Sequence, residues 1–315
     1  MFPYTGSGPY CYTHCLTMLL GPLAPAPAVT ETLTGSPFGV QLMDDGQLFF
    51  DPYGWHPEIG VDTALELLGW RCERVEGGTP DQAVARLRDT CAQGPVMAGP
   101  VDMGLLLYRP GTPLPGEGDH YVIVLNVEGD TVHLHDPHGH PYATLPVTAF
   151  TAAWRAESVA YSDAPYVLRS GFVREHEVTP AEALRSSLPG AVRWLAGRQD
   201  LPMPPGSLGG AAALDAFADQ VSRGLDPGVR TMLEEFGVRV GVRRLVDAAA
   251  CLDALGLTDA AAIADHQART LGSLQLPLAT RDDRALAAGL RRLAPLYERL
   301  RAALAAAVGD GTAAG

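Results

Sequence analysis

The chain has 315 residues, 47% of them hydrophobic and 19% charged, which is enough to bury at least one full core and long enough to favour two domains over one. A formal charge of -13 argues against nucleic acid or an anionic membrane as the main partner, because both select basic surfaces. No apolar run reaches the roughly 18 residues of a membrane helix, and the N-terminus lacks the positive, apolar, small-residue order of a signal peptide, so a soluble cytoplasmic protein is expected.

Taken in chain order, the first helix is expected over Cys11 to Leu20, ended by Gly21 and Pro22, with two more over Val61 to Leu68 and Pro80 to Cys91. Strands are expected at Pro95 to Ala98, His120 to Val127, Thr131 to Asp136 and Ala164 to Leu168. From about residue 170 the composition shifts to Ala, Leu and Arg at helical spacing. Helices are expected over Pro180 to Ala196, Gly210 to Arg223, Val238 to Leu255, Asp259 to Leu271 and Asp282 to Val308. The reading is an α+β catalytic domain over residues 1–170 followed by an all-α domain over residues 171–315.

The five cysteines, Cys11, Cys15, Cys72, Cys91 and Cys251, form an odd count without short paired spacings, so neither a disulfide framework nor a zinc finger is implied. Cys11 stands out by position. A thiol in the first turn of a helix lies near the positive end of the helix dipole, which favours the thiolate, and a neighbouring imidazolium favours it further. Cys15, one turn later and followed by Leu16, Leu19 and Leu20, reads as an inert packed residue.

The partner for such a thiol is sought in the run GDHYVIVLNVEGDTVHLHDPHG. Glu128, Gly129 and Asp130 reverse the chain between two β-branched, apolar strands. His120 lies eight positions before Glu128 and Asp136 eight after it, so a three-residue turn is expected to set them opposite each other, with Cβ atoms about 5 Å apart. A two-residue turn shifts the pairing by one position and leaves them neighbours. Asp136 would then fix the tautomer of His120 and stabilise its imidazolium, leaving the other ring nitrogen for the thiol. The nearby His133, His135, His138 and His140 are weighed as a metal set. Their order around Asp136 does not fit a ligand motif, and alternation turns His133 and His135 away from Asp136. No metal is expected; His138 and His140 are left as substrate contacts or as solvated loop residues.

These residues also carry a resemblance. CYTHCLTMLL, HYVIVLNV and LHDPHG resemble the nucleophile helix, His strand and Asp-Pro turn of the papain-like cysteine peptidases that process double-glycine leaders. GPVMAGPVDMGLLLYRPG, together with the later GGAAALDAFADQV, EEFGVRVGVRRLV and RALAAGLRRLAPLYERL, is similar to the BtrH-type proteins, named for butirosin biosynthesis, with their helical companion domain. The resemblance implies a papain-like fold and an acyltransferase of specialised metabolism, which moves an acyl group from an acyl-carrier-protein thioester to an amine. Phosphopantetheine on the carrier, or CoA, would be the acyl donor, and the protein would hold no cofactor of its own. Cys11 would be the nucleophile, His120 the base and Asp136 the orienting carboxylate. The leader peptidases place an oxyanion-stabilising Gln six residues before the nucleophile; here that position is Thr5. Tyr4, Thr5 and Ser7 offer hydroxyls in its place, beside the Cys11 N–H.

Asp102 is a candidate to bind the cationic amine, with a loop-capping carboxylate as the alternative, and Tyr108 is either a substrate contact or packing. Arg239, Arg243 and Arg244, or Arg281, Arg284, Arg291 and Arg292, are candidate patches for an acidic carrier protein, with solvated helix faces as the alternative. The stretch Met203 to Ala213 is either an acyl channel or a linker, and the helix Asp282 to Val308 offers a surface for a homodimer. A thioesterase, peptidase or cyclase would use the same triad, and a non-catalytic binding module is the remaining class.

Overall fold

A computed structural model describes residues 9–198, 200–201 and 205–313, with side chains of the last helix described to Gly309. The elements in chain order are α1 (Cys11–Leu20), α2 (Pro27–Leu33), β1 (Gln41–Leu42), β2 (Leu48–Phe49), α3 (Pro57–Leu67), β3 (Trp70–Val75), α4 (Pro80–Cys91) and β4 (Val96–Asp102). They continue with β5 (Asp119–Glu128), β6 (Thr131–Asp136), β7 (His140–Pro146), α5 (Val147–Trp154), β8 (Leu168–Arg174), α6 (Pro180–Ala196), β9 (Leu208–Gly209) and α7 (Gly210–Arg223). The last are α8 (Pro227–Met232), α9 (Val238–Ala254), α10 (Thr258–Gly272), α11 (Gln275–Ala279) and α12 (Asp283–Ala313). The chain is thus mixed α+β, with an antiparallel sheet and a helical C-terminal region.

Two compact units share these elements. The first comprises the described part of Met1–Pro27 together with Gly69–Glu177; the second comprises Ala28–Leu68 and the described part of Val178–Gly315. This differs from the expected division near residue 170 in two ways. β8 extends to Arg174 because it is an interior strand between β3 and β4, so the first unit cannot end before it. The stretch from Ala28 to Leu68 packs with the helices, and its fastening is a buried ion-pair cluster. Arg244 of α9 bonds Glu31 (Nε–Oε1 2.9 Å), Asp51 (Nη1–Oδ2 3.0 Å) and the Phe50 carbonyl (3.0 Å). Gln41 donates to Asp51 at 2.6 Å and Ser36 to Glu31 at 2.7 Å, so each carboxylate has a neutral donor besides the shared guanidinium. Around it lies a core of Val40, Leu48 and Phe50 with Leu214, Phe217, Leu271, Leu290 and Leu293.

In the first unit six antiparallel strands run in the order β3-β8-β4-β5-β6-β7. Val122, Val124, Val132 and Leu134 of the central strands form one core with Ala83 and Leu87 of α4 and Phe150 and Trp154 of α5. α4 begins where the sequence dictates: Thr79 and Gln82 form a reciprocal capping box with Pro80 in the first turn. α1 stops at Gly21, whose φ of 59° is readily taken only by glycine, with Pro22 unable to continue the ladder.

The β5–β6 hairpin turns more tightly than expected. Glu128 pairs with Thr131, so the reversal has two residues, and that register alone would turn His120 and Asp136 to opposite faces. A β-bulge corrects it. Asn126 pairs with His133 but Val124 with Leu134, leaving Leu125 as the extra residue on β5. Beyond the bulge His120, Val122 and Val124 share a face with Leu134 and Asp136. His120 is diagonal to Asp136 rather than opposite it, still within reach of the two side chains.

Candidate functional site

The site is assembled from three elements of the first unit: the start of α1, the start of β5 and the end of β6. Tyr10, the residue before Cys11, adopts a left-handed backbone conformation (φ 85°). For a residue with a bulky side chain this costs about 1–3 kcal/mol, and such strain concentrates at functional sites. It turns the chain abruptly into α1, so that Cys11 is the first helical residue and its N–H has no carbonyl one turn back within the helix. Cys11 is partly accessible, whereas Cys15 is fully buried. Burial, followed by the charges of Cys11 and Asp136, pushes the Cys15 thiol well above its ordinary range and keeps it protonated.

His120 Nε2 lies 2.6 Å from Asp136 Oδ1, which leaves Nδ1 as the ring nitrogen available to the thiol, and Cys11 is close enough for its charge to act on the ring. Both His120 and Asp136 are buried. Burial by itself disfavours the imidazolium. The charges of Asp136 and Cys11, with the hydrogen bond to Asp136, outweigh it and raise His120 from 6.5 to about 10. Asp136 is held well below the usual carboxylate range: its burial opposes ionisation, but the His120 charge and bonds from His120, the His138 backbone and Tyr108 prevail. The arrangement can take a proton from a thiol and hold a thiolate–imidazolium pair.

The other candidates fall out differently. Asp102 is buried and caps its own loop: Oδ1 accepts from the Gly104 N–H (3.0 Å) and Oδ2 from the Gly116 N–H (2.8 Å) and the Ser158 hydroxyl (2.8 Å). Its burial and three donors match the loop-capping alternative. Tyr108, read as either a substrate contact or packing, donates to Asp136 Oδ2 at 3.0 Å. The His138 side chain is exposed, with its ring 6.0 Å from that of His120, while its N–H donates to Asp136 Oδ1 at 2.7 Å. That backbone donor went unread in the sequence, although an Asp two residues before an N–H is the ordinary Asx-turn pattern. His140 packs beside Tyr108, with ring centroids 5.3 Å apart. His135 is buried and accepts from the Tyr142 N–H, and His133 sits near Glu128. No group of three or more metal-ligating side chains occurs among the described residues. Tyr4, Thr5 and Ser7 lie outside the described residues, as does Met203.

In the second unit the first arginine patch is broken, because Arg244 is buried in its ion pairs. Arg239 bonds the Glu235 carbonyl, and Arg291 of the second patch pairs with Asp219. The described part of the stretch expected as a channel or linker forms β9, paired with β1, and the start of α7. No helix among the described residues is long and apolar enough to cross a membrane.

Fold and site together define an α+β chain that holds an imidazole hydrogen-bonded to a carboxylate, with a thiol at a helix start near enough to couple to it. Comparison with known sequences bears on the other half. Residues 204–305 match the family described as the YobF C-terminal domain. Over 164 residues the chain is 32% identical to the uncharacterized protein YobF of Bacillus subtilis (strain 168), a match that covers 51% of this chain and 53% of that protein. The chain therefore spans about half the length of the curated relative it matches.

Proposed function

We propose that this chain is a cysteine acyltransferase of BtrH type, with a papain-like catalytic unit, acting in specialised metabolism in the cytoplasm. Its acyl donor is an acyl-carrier-protein or CoA thioester, its acceptor is a small-molecule amine, and its product is an amide. The observation that carries the reading is the His120 ring, bonded at Nε2 to Asp136 and electrostatically coupled to the nearby Cys11.

The Cys11 thiolate attacks the thioester carbonyl carbon. Its C–S bond to the leaving thiol breaks as His120 protonates that thiol, and the acyl group remains on Cys11 as a new thioester. The amine then attacks the same carbon and gives one proton to His120. Cys11 leaves as the thiolate, and the amide departs. Asp136 stays ionised throughout and stabilises the imidazolium, and the Cys11 N–H is placed to donate to the oxyanion.

The test of transfer against hydrolysis is the fate of the acyl group. The protein is loaded with a small acyl thioester and chased with buffer alone or with a panel of amines, and products are read by mass spectrometry. Discharge to amide faster than to free acid is expected. Discharge by water at the same rate in the presence of every amine would make the chain a thioesterase or peptidase, and a product cyclised on its own acyl chain would make it a cyclase.

A further inference from the structure

Tyr108 sits in the loop between β4 and β5, which is clasped at both ends. Asp102 receives Gly104 from the start of the loop and Gly116 from its end, and Ser158 holds the same carboxylate from outside. Within the loop the Leu114 N–H bonds the Gly104 carbonyl at 2.8 Å, and a Cβ at Gly104 would lie 1.7 Å from the Leu114 carbonyl oxygen. Arg109 bonds the Met103 carbonyl and Glu117. The phenol is thus delivered to Asp136 by a segment with little freedom to withdraw it.

At Asp136 the two oxygens carry different loads. Oδ1 accepts from both His120 and the His138 N–H, and Oδ2 accepts from Tyr108. The bonds at Oδ1 hold one end of the carboxylate and the Tyr108 bond at Oδ2 holds the other, so the phenol helps to fix its plane. Burial and the Asp136 charge push the Tyr108 hydroxyl far above its ordinary value, so it remains a donor wherever His120 titrates.

We propose that Tyr108 is a positioning residue of the triad, fixing the plane of the Asp136 carboxylate and sharing its charge, and so limiting how strongly Asp136 holds the proton on His120. This rests on the reading of Cys11, His120 and Asp136 as a nucleophilic site. Among the described residues, the titratable and charged groups around the pair include Cys11 and Cys15 from α1, Tyr108 and Arg109 from the loop, His138 and His140 beside the β6–β7 turn, and Asp119 next to His120 on β5 with its partner Tyr161.

The test uses the full chain with ¹⁵N-labelled histidine, comparing wild type with Tyr108→Phe and Tyr161→Phe. The second is a control that removes a hydroxyl bonded to Asp119 at 2.6 Å, next in sequence to His120 but not on Asp136. Nitrogen NMR follows the His120 titration midpoint, and peptide mapping follows iodoacetamide alkylation of Cys11 against Cys72. In Tyr108→Phe the full charge of Asp136 is returned to His120. Its midpoint is expected to rise by about half a unit, with the ring-proton resonance displaced, while Tyr161→Phe matches wild type. A midpoint that stays put, falls, or moves equally in both variants would overturn the role of Tyr108. If wild-type Cys11 alkylates no faster than Cys72 at neutral pH, the underlying nucleophilic reading fails instead, and the two failures are told apart.

Discussion

His120 and Asp136 meet at 2.6 Å across two strands whose turn alone would send them to opposite faces. The extra residue at Leu125 makes the meeting, so the bulge is part of the site. Deleting Leu125 is expected to leave a paired hairpin but to turn one of the two side chains away. The His120 titration would lose its dependence on Asp136, which is checked by comparing its midpoint with that of Asp136→Asn in the full-length background.

Removing the base should cost more than removing the buried thiol. His120→Ala is expected to slow acylation of Cys11 by about 10²- to 10⁴-fold, the usual worth of a positioned acid–base group, with little change in secondary structure. Cys15→Ala should retain reactivity at Cys11, because Cys15 is fully buried and its thiol is held protonated. Single-turnover acylation rates with circular dichroism check both.

The triad also predicts a pH window for stability. The folded-state value of His120 is raised from 6.5 to about 10, so its contribution is fully present below 6.5 and is lost as pH rises through 10. Asp136 is depressed from 3.8, so its contribution is present above 3.8 and is lost as pH falls below it. The melting temperature should therefore be highest between about 4 and 6.5 and decline on the alkaline side. In His120→Ala the decline between 6.5 and 10 should flatten.

In the second unit, Arg244→Leu strands Glu31 and Asp51 as buried charges without their cation and is expected to destabilise the fold by about 3–5 kcal/mol. Arg269→Leu, which removes an exposed partner of Asp265, should leave the urea midpoint close to wild type. Equilibrium urea unfolding of the two variants side by side measures the difference.

Legibility followed locality. α1, α4, β6, α6 and α7 lie where sequence reading puts them, because a capping Thr79 or Thr179 with a following proline, or a terminating Gly21, is a local signal. β7 went unread because His140, Pro141 and Tyr142 carry the composition of a turn. The strand expected at Ala164 to Leu168 instead begins at Leu168, where pairing with β3 and β4 starts. Long-range facts were hidden for the same reason. Nothing near Glu31 announces Arg244, 213 positions away, and nothing near Leu125 announces a bulge. The nearness of His120 and Asp136 could be expected from residue type and position. Their diagonal geometry, the donors around Asp102 and the Tyr108 bond to Asp136 needed the fold.

Intact mass followed by peptide mapping after brief exposure to small acyl thioesters asks most directly whether Cys11 is a nucleophile driven by His120. Wild type is expected to gain one acyl group, located on Cys11, with none on Cys72; Cys11→Ala should gain nothing, and His120→Ala should gain it only slowly. An acyl group that persists in Cys11→Ala would show that Cys11 is not the nucleophile, and one that forms equally fast without His120 would show that His120 does not drive it.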